Sequence, residues 1–209
     1  MTYLALGDSI SIDEYTGVKG GGAASQLAQL LDAERFMNFT RDGHTSGPLL
    51  QEMQTAAAMP GTLPAIDLVT VTIGGNDVLS GYYMREIGER GAERVAVDRL
   101  IGNLDKIGAL LAQLSCPVIL SGIYDPTDGD DSKAGEMGLP VEARGTLRRV
   151  NAHIQAVALR HGFLYADLER LFLGHGFWSA EPWLVMHIEP NLAGAKQIAR
   201  HWHDLYQSR

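Results

Sequence analysis

The chain has 209 residues, 45% of them hydrophobic and 20% charged, with a formal net charge of -8. That length suits one sizeable core, since about 150–250 residues is the usual range for a single α/β domain, and one domain over residues 1–209 is expected. The acidic balance and the lack of a Lys/Arg cluster exclude nucleic acid as a partner, because phosphates are bound by cations that displace their counterions.

The opening residues, Met1-Thr2-Tyr3-Leu4-Ala5-Leu6-Gly7, carry no basic n-region, and their apolar stretch is too short for a signal peptide or a membrane span. A cytoplasmic protein without a membrane span is the expectation, which an export segment ahead of Met1 would change. Tyr3–Leu6 reads as a first strand and runs straight into Gly7-Asp8-Ser9, setting a hydroxyl at the carboxyl edge of a sheet. Taken alone, a serine there is more often a helix cap or turn residue than a nucleophile. Gly20-Gly21-Gly22-Ala23-Ala24-Ser25 opens a helix over Ala23–Leu31 and invites a phosphate-binding reading. It lacks the Gly-Lys-Ser/Thr of a P-loop, and small residues that let the helix pack closely explain it better. A second strand, Arg35–Phe39, leads into Asn38-Phe39-Thr40-Arg41-Asp42-Gly43, and a helix follows over Leu49–Ala58. A third strand, Leu68–Ile73, ends in Gly74-Gly75-Asn76-Asp77. Glycine lets a backbone N–H approach a ligand and an Asn amide presents two donors, so both strand ends can supply an oxyanion hole.

A helix over Ala92–Leu114 precedes the run Ser115-Cys116-Pro117-Val118-Ile119-Leu120, whose last three residues form a fourth strand. Cys116 is the only cysteine, which precludes an internal disulfide or a multi-cysteine metal site and reads as a small buried hydrophobe. Tyr124–Pro140, rich in Gly and Asp, reads as a long loop, either a lid or a surface excursion. A helix over Val141–His161, a fifth strand over Phe163–Ala166 and a last helix over Leu192–Tyr206 complete the chain. Short apolar runs alternating with helical periods predict an α/β fold, a three-layer α/β/α sandwich around a parallel sheet of about five strands. Ligands then bind outside the carboxyl ends of the strands.

Leu6-Gly7-Asp8-Ser9 resembles the first block of the SGNH/GDSL hydrolase family, Asn38 with Gly43 resembles its second, and Gly74-Gly75-Asn76-Asp77 is similar to its third. With Pro190-Asn191 and Gly194 near the C-terminus, the resemblance spans nearly the whole chain. It implies a flavodoxin-like α/β/α esterase acting on a small-molecule ester. Ser9 would be the nucleophile, and the oxyanion would be held by the N–H groups of Ser9 and Gly43 and the side chain of Asn76. No metal and no organic cofactor is implied.

The fourth block departs from the family pattern of Asp, two residues, then catalytic His. Here the segment reads Met186-His187-Ile188-Glu189-Pro190-Asn191-Leu192-Ala193-Gly194, with Glu189 where histidine is expected and Met186 three residues before it. His187 is the foremost candidate base with Glu189 as its orienting acid, because residues two apart in an extended segment share a face. Glu189 acting directly, another histidine such as His175, or an inactive site are the alternatives. Among the other histidines, His44 beside Gly43 and His175 in Gly174-His175-Gly176 are candidate pocket residues, while His153 and His161 belong to a helix. His201 and His203 flank Trp202 on a surface helix, and no third ligand accompanies them. Trp178 and Trp183 flank the last block and either bound a pocket or fill the core. Two rivals to the esterase stay open: a binding protein that lost a working triad, and a nucleotide-binding doubly wound domain resting on glycines and fold analogy.

Overall fold

A computed structural model describes residues 1–59 and 64–209. Strands β1 (Thr2–Gly7) and β3 (Leu68–Thr72) are buried along almost their whole length. Such strands need cover on both faces, and their sequences read as continuous apolar runs for that reason. With β2 (Arg35–Thr40), β4 (Val118–Ser121) and β5 (Leu164–Ala166) they form a five-stranded sheet in the order β2-β1-β3-β4-β5. All of its pairings are parallel. The direction of winding reverses between β1 and β3, and the crevice at that switch point is where such sheets bind ligands. Gly7 pairs with Thr40 on one side and Thr72 on the other, so the chain leaves β1, β2 and β3 at one level.

Alternate residues of β1 face different layers. Leu4 and Leu6 join Val69, Val71, Val118 and Leu120 under the helices α2 (Ser46–Ala57), α3 (Gly75–Glu86), α4 (Ala92–Leu111) and α6 (Ala143–His161). Tyr3 and Ala5 join Leu68, Ile119 and Ala166 under α1 (Ala23–Leu30), α7 (Leu168–Phe172) and α8 (Leu192–Gln207). Trp202 is fully buried in this second layer, its indole N–H donating to Ser121 Oγ at 3.0 Å.

The three-layer sandwich is as expected, and the expected strands and long helices agree with the observed ones to within a few residues at their ends. The sequence reading lacked α3, α7, the short α5 (Asp131–Glu136) and an antiparallel hairpin of β6 (Leu184–Val185) and β7 (Glu189–Pro190). α3 turns only Val78 and Tyr82 inward as large apolar groups, and it packs on α4 through Gly81, whose added Cβ would lie 2.8 Å from Ala96 Cβ. A two-residue apolar stripe leaves little helical period to read. Cys116 is only half-buried, packed at the edge of the first layer. The three glycines of the loop spend their N–H groups within the protein: the Asp13 carboxylate accepts from Gly20 and Gly22 at 2.7 and 2.8 Å, and Gly21 donates to the Val18 carbonyl. Gly22 also lies where a Cβ would come within 2.2 Å of the Ile12 carbonyl oxygen, which accounts for it by packing.

Gly7 is the residue on which the sheet edge turns. Its φ of +128° is foreign to L side chains, and a Cβ there would lie 1.8 Å from the Thr72 carbonyl oxygen. Gly7→Ala is therefore expected to destabilise the protein by about 3 kcal/mol or more in urea unfolding. Gly102, within α4 and with nothing near its Cβ position, is the contrasting case, where Gly102→Ala should stabilise by roughly 0.5–1 kcal/mol. Equal midpoints for wild type and Gly7→Ala would contradict the packing described.

Candidate active site

Beyond Gly7 the chain turns at once into a 3-10 turn over Ser9–Ser11. Asp8 caps it, Oδ1 accepting from the Ile10 N–H at 3.3 Å, while the Asp8 N–H donates to the Thr72 carbonyl at 2.9 Å. The Ser11 and Thr72 hydroxyls bond at 2.9 Å. Ser9, 6% exposed, thus sits on a turn stitched to the end of β3. It lines a cleft together with Asn76 and Glu189. The Ser9 hydroxyl lies near enough to the Glu189 carboxylate to favour its charged form, and Glu189 Oε2 is buried with no protein partner.

The hairpin places Glu189. Met186 and His187 take left-handed φ values of 48° and 71°, and Glu189 returns opposite Val185 in the strand pair. Non-glycine residues adopt this conformation at a cost of order 1–2 kcal/mol each. The Tyr124 hydroxyl holds the segment by donating to the Ile188 carbonyl at 2.5 Å. Behind it Asn191 caps α8, Oδ1 accepting from Ala193 and Gly194 at 2.9 and 3.0 Å and Nδ2 donating to the Pro182 carbonyl at 2.8 Å. Gly194 is needed because a Cβ there would lie 2.4 Å from the Trp183 carbonyl oxygen. Pro190-Asn191 and Gly194 therefore fasten the hairpin to α8.

His187 is exposed in this turn, its ring against Phe177 and Trp178 at centroid distances of 4.4 and 5.5 Å, and it does not line the cleft. The extended geometry that would have set it on one face with Glu189 is absent, because the left-handed pair reverses the chain. His175 also lies off the cleft, stacked on Trp183 at 3.7 Å and bonded through Nδ1 to the Glu181 carbonyl at 3.0 Å. Trp178 and Trp183 are likewise outside it.

Asn76 stands in the first turn of α3, and its Nδ2 donates to the His44 carbonyl at 3.0 Å. His44 is buried rather than presented to a ligand, with Nδ1 3.1 Å from the Gly7 carbonyl, which makes Nδ1 the protonated nitrogen. Its Nε2 lies 3.7 Å from Glu52. One residue thus ties the ends of β1, β2 and β3. Asp77 does the same for two helices, its carboxylate accepting from the Ser46 N–H and hydroxyl at 2.9 and 2.6 Å. Gly43 forms the exposed turn after β2 with φ 65° and is not part of the cleft wall.

No cation lies among the groups that set the acidity of the carboxyls beside Ser9. Burial pushes Asp8 up to about 7, against its hydrogen bonds to Thr72 and Ile10 and aided by the charges of Glu189 and Asp77. Burial likewise raises Glu189, opposed by the nearby Ser9 hydroxyl and reinforced by the charge of Asp42. Tyr15 is pushed up to about 12, first by its hydrogen bond to Asp42. Among the described residues, no cluster of three or more His, Cys, Asp or Glu could hold a metal ion, and no helix is long and apolar enough to cross a membrane.

A sequence profile described as the GDSL-like Lipase/Acylhydrolase family matches residues 5–197. A lipase from Streptomyces rimosus is 28% identical over 217 aligned positions, covering 87% of this chain and 75% of its own length. The crystal structure of an extracellular lipase from Streptomyces rimosus superposes with a TM-score of 0.66 at 21% identity, over 98% of this chain and 99% of that one. A member of the lipolytic protein G-D-S-L family from Veillonella parvula gives 0.71 at 18% identity, over 100% and 99%. An acetylxylan esterase from Geobacillus stearothermophilus gives 0.69 at 17% identity, over 98% and 93%. These superpositions establish a shared fold.

The elevated Asp8 has a measurable consequence. Folded, Asp8 keeps its proton until about pH 7, whereas an unfolded aspartate loses it near ~3.9. Between those values the native state binds the extra proton, so stability from this group is full below about pH 4 and is lost as pH rises through about 7. Asp8→Asn should flatten that part of the curve and leave the protein more stable than wild type at pH 8, by roughly 2–4 kcal/mol. Urea midpoints between pH 4 and 8 decide it. Parallel curves for the two proteins would show that Asp8 is not protonated in the native state.

Proposed function

The chain belongs to the GDSL-like lipase/acylhydrolase family, and on that footing we propose that it hydrolyses carboxylic esters through an acyl-enzyme on Ser9, with Glu189 as the base. The observation that carries this reading is that the buried Glu189 carboxylate, its Oε2 without a protein partner, lines the same cleft as Ser9 and Asn76, with the Ser9 hydroxyl near enough to act on its acidity. Glu189 takes the proton as Ser9 Oγ attacks the ester carbonyl. The N–H group of Ser9 and the Asn76 amide stabilise the tetrahedral oxyanion, and Gly43, outside the cleft, is assigned no part in it. The proton passes to the departing alkoxide, and a water activated by Glu189 then cleaves the acyl-enzyme and restores the serine.

A carboxylate at its ordinary acidity is a poor match for a serine proton, and the upward shift of Glu189 narrows that gap. His187, the base expected from the sequence, has its ring on Phe177 and Trp178; we assign it no proton transfer. The rival reading, a binding protein with a disabled triad, draws on the want of a histidine at Ser9. Covalent labelling by a fluorophosphonate separates the two, because only an activated serine reacts.

With p-nitrophenyl esters, Ser9→Ala should abolish turnover and Glu189→Gln should lower kcat by roughly three orders of magnitude or more, while His187→Ala stays within a few-fold of wild type. The wild-type kcat/KM should rise with pH as Glu189 loses its proton, with an inflection above the ~4.3 of a free glutamate, and the inflection should vanish in Glu189→Gln. Loss of turnover in His187→Ala with an intact Glu189→Gln would return the base to His187. Asn76→Ala should lower kcat by roughly two to three orders of magnitude with a smaller change in KM. A change confined to KM would make Asn76 a ground-state contact.

A further inference from the structure

The cleft that holds Ser9, Asn76 and Glu189 has a volume of about 100 Å³. Away from those residues its walls are largely aliphatic: Val78 and Leu79 from α3, Ile123 beyond β4, Leu139 and Val141 ahead of α6, and Leu147 within α6. Most polar groups on the same walls are already engaged, Arg144 Nε being buried without a hydrogen-bond partner. The Tyr124 hydroxyl is held by the Ile188 carbonyl, and the Thr127 hydroxyl by Asp125 at 2.6 Å. Among the described residues Arg144 is the only cation lining the cleft, and it meets Asp131 at 2.7 Å and Asp125 at 3.6 Å while donating to the Gly129 carbonyl. The remaining charges on the lining, Asp8 and Glu189, are acidic.

Those ion pairs also fix the wall. The segment from Tyr124 to Pro140 is bolted at one point to α6 through Arg144 and at another to the 174–176 turn. There Asp128 accepts from the Gly174 and Gly176 N–H groups at 2.9 and 3.0 Å. A ligand rich in hydroxyls would find few open donors or acceptors, and an anionic one would meet uncompensated carboxylates. An uncharged hydrocarbon chain meets neither penalty and gains by leaving water.

We propose that this cleft is an acyl-chain site, taking the aliphatic chain of a neutral ester of a carboxylic acid longer than acetic acid. The proposal rests on the assignment of Ser9 as nucleophile for its orientation, with the ester carbonyl between Ser9 and Asn76 and the chain along the aliphatic walls.

Two measurements test it separately from the chemistry. Across p-nitrophenyl acetate, butanoate and hexanoate, each methylene that enters the cleft should raise kcat/KM roughly fourfold, the equivalent of ~0.8 kcal/mol per buried methylene. Ala143→Phe, which adds bulk to a cleft-lining position, should cut the hexanoate-to-acetate ratio at least tenfold, and Leu147→Trp does the same if the first variant fails to fold. In the second measurement, 2-nonanone is added to the Ser9→Ala protein, where it should raise Tm by several degrees while acetone at equal concentration does not. Serine-dependent turnover that is fastest on acetate, an unchanged ratio in a folded variant, or no ketone shift would each overturn the acyl-chain site. Absence of both fluorophosphonate labelling and ester turnover would instead overturn the esterase reading, and the ketone shift would then decide the site alone.

Discussion

The close passage of Gly7 over Thr72 is the constraint on which the rest of the site depends. With no side chain at Gly7, β1 comes near enough to the carboxyl end of β3 for the Asp8 N–H to bond the Thr72 carbonyl, and the Thr72 hydroxyl reaches Ser11. The Gly7 carbonyl, freed on the other side, accepts from the Arg41 N–H at 3.0 Å and from His44. One glycine therefore sets the height of the serine turn and of the loop after β2, and through the His44 carbonyl it sets the position of Asn76 as well. A site assembled on strand ends in this way is rigid because the sheet beneath it is, and precise positioning is what electrostatic stabilisation of a transition state requires.

Around that scaffold, among the described residues, the cleft beside Ser9 is lined by carboxyl groups and by no imidazole. Burying acids without a cation is unfavourable to their charged forms, and the outcome is the upward shift of Asp8 and Glu189 together. The two are not equivalent. Asp8 is spoken for by the Ile10 N–H and Thr72, whereas Glu189 faces the serine and keeps an oxygen without a partner. Environments that separate the duties of neighbouring carboxyls in this way are the usual means by which one acid serves structure and another serves proton transfer.

Most of the scaffold was legible from the sequence, for a physical reason: strands covered on both faces have to be continuous apolar runs, so Leu68–Thr72 and its neighbours announce themselves. The strand-end blocks were legible too, because a nucleophile candidate and an amide donor have to follow β1 and β3 directly. What stayed hidden was backbone conformation that the residue types do not advertise. Met186 and His187 are in the left-handed region, where Gly or Asn is the common signal, so an extended reading of His187-Ile188-Glu189 was natural and its geometry did not form. The appeal of His44 and His175 as pocket residues failed for a related reason. Histidine next to a turn glycine is as well suited to tying backbone carbonyls together as to touching a ligand, and only the direction of Nδ1 tells the two apart.

The segment after β4 illustrates how a composition that reads as loop acquires a definite role. Its Gly and Asp content gives no apolar period, and α5 within it buries no residue, so past the buried Tyr124 and Thr127 at its start little apolar packing fixes it to the protein. The fixing is done from outside, by Arg144 on α6 and by the N–H groups of Gly174 and Gly176, through the aspartates that made the segment look like a surface excursion. Charge is thereby used up along the wall, and the side chains left to face the cleft beside Ser9 are Leu139 and Val141 with Ile123 and Leu147. The apolar character of the cleft is thus a product of the same ion pairs that hold its wall in place: cutting them would release the wall and expose an unpaired Arg144 to the cleft in one step.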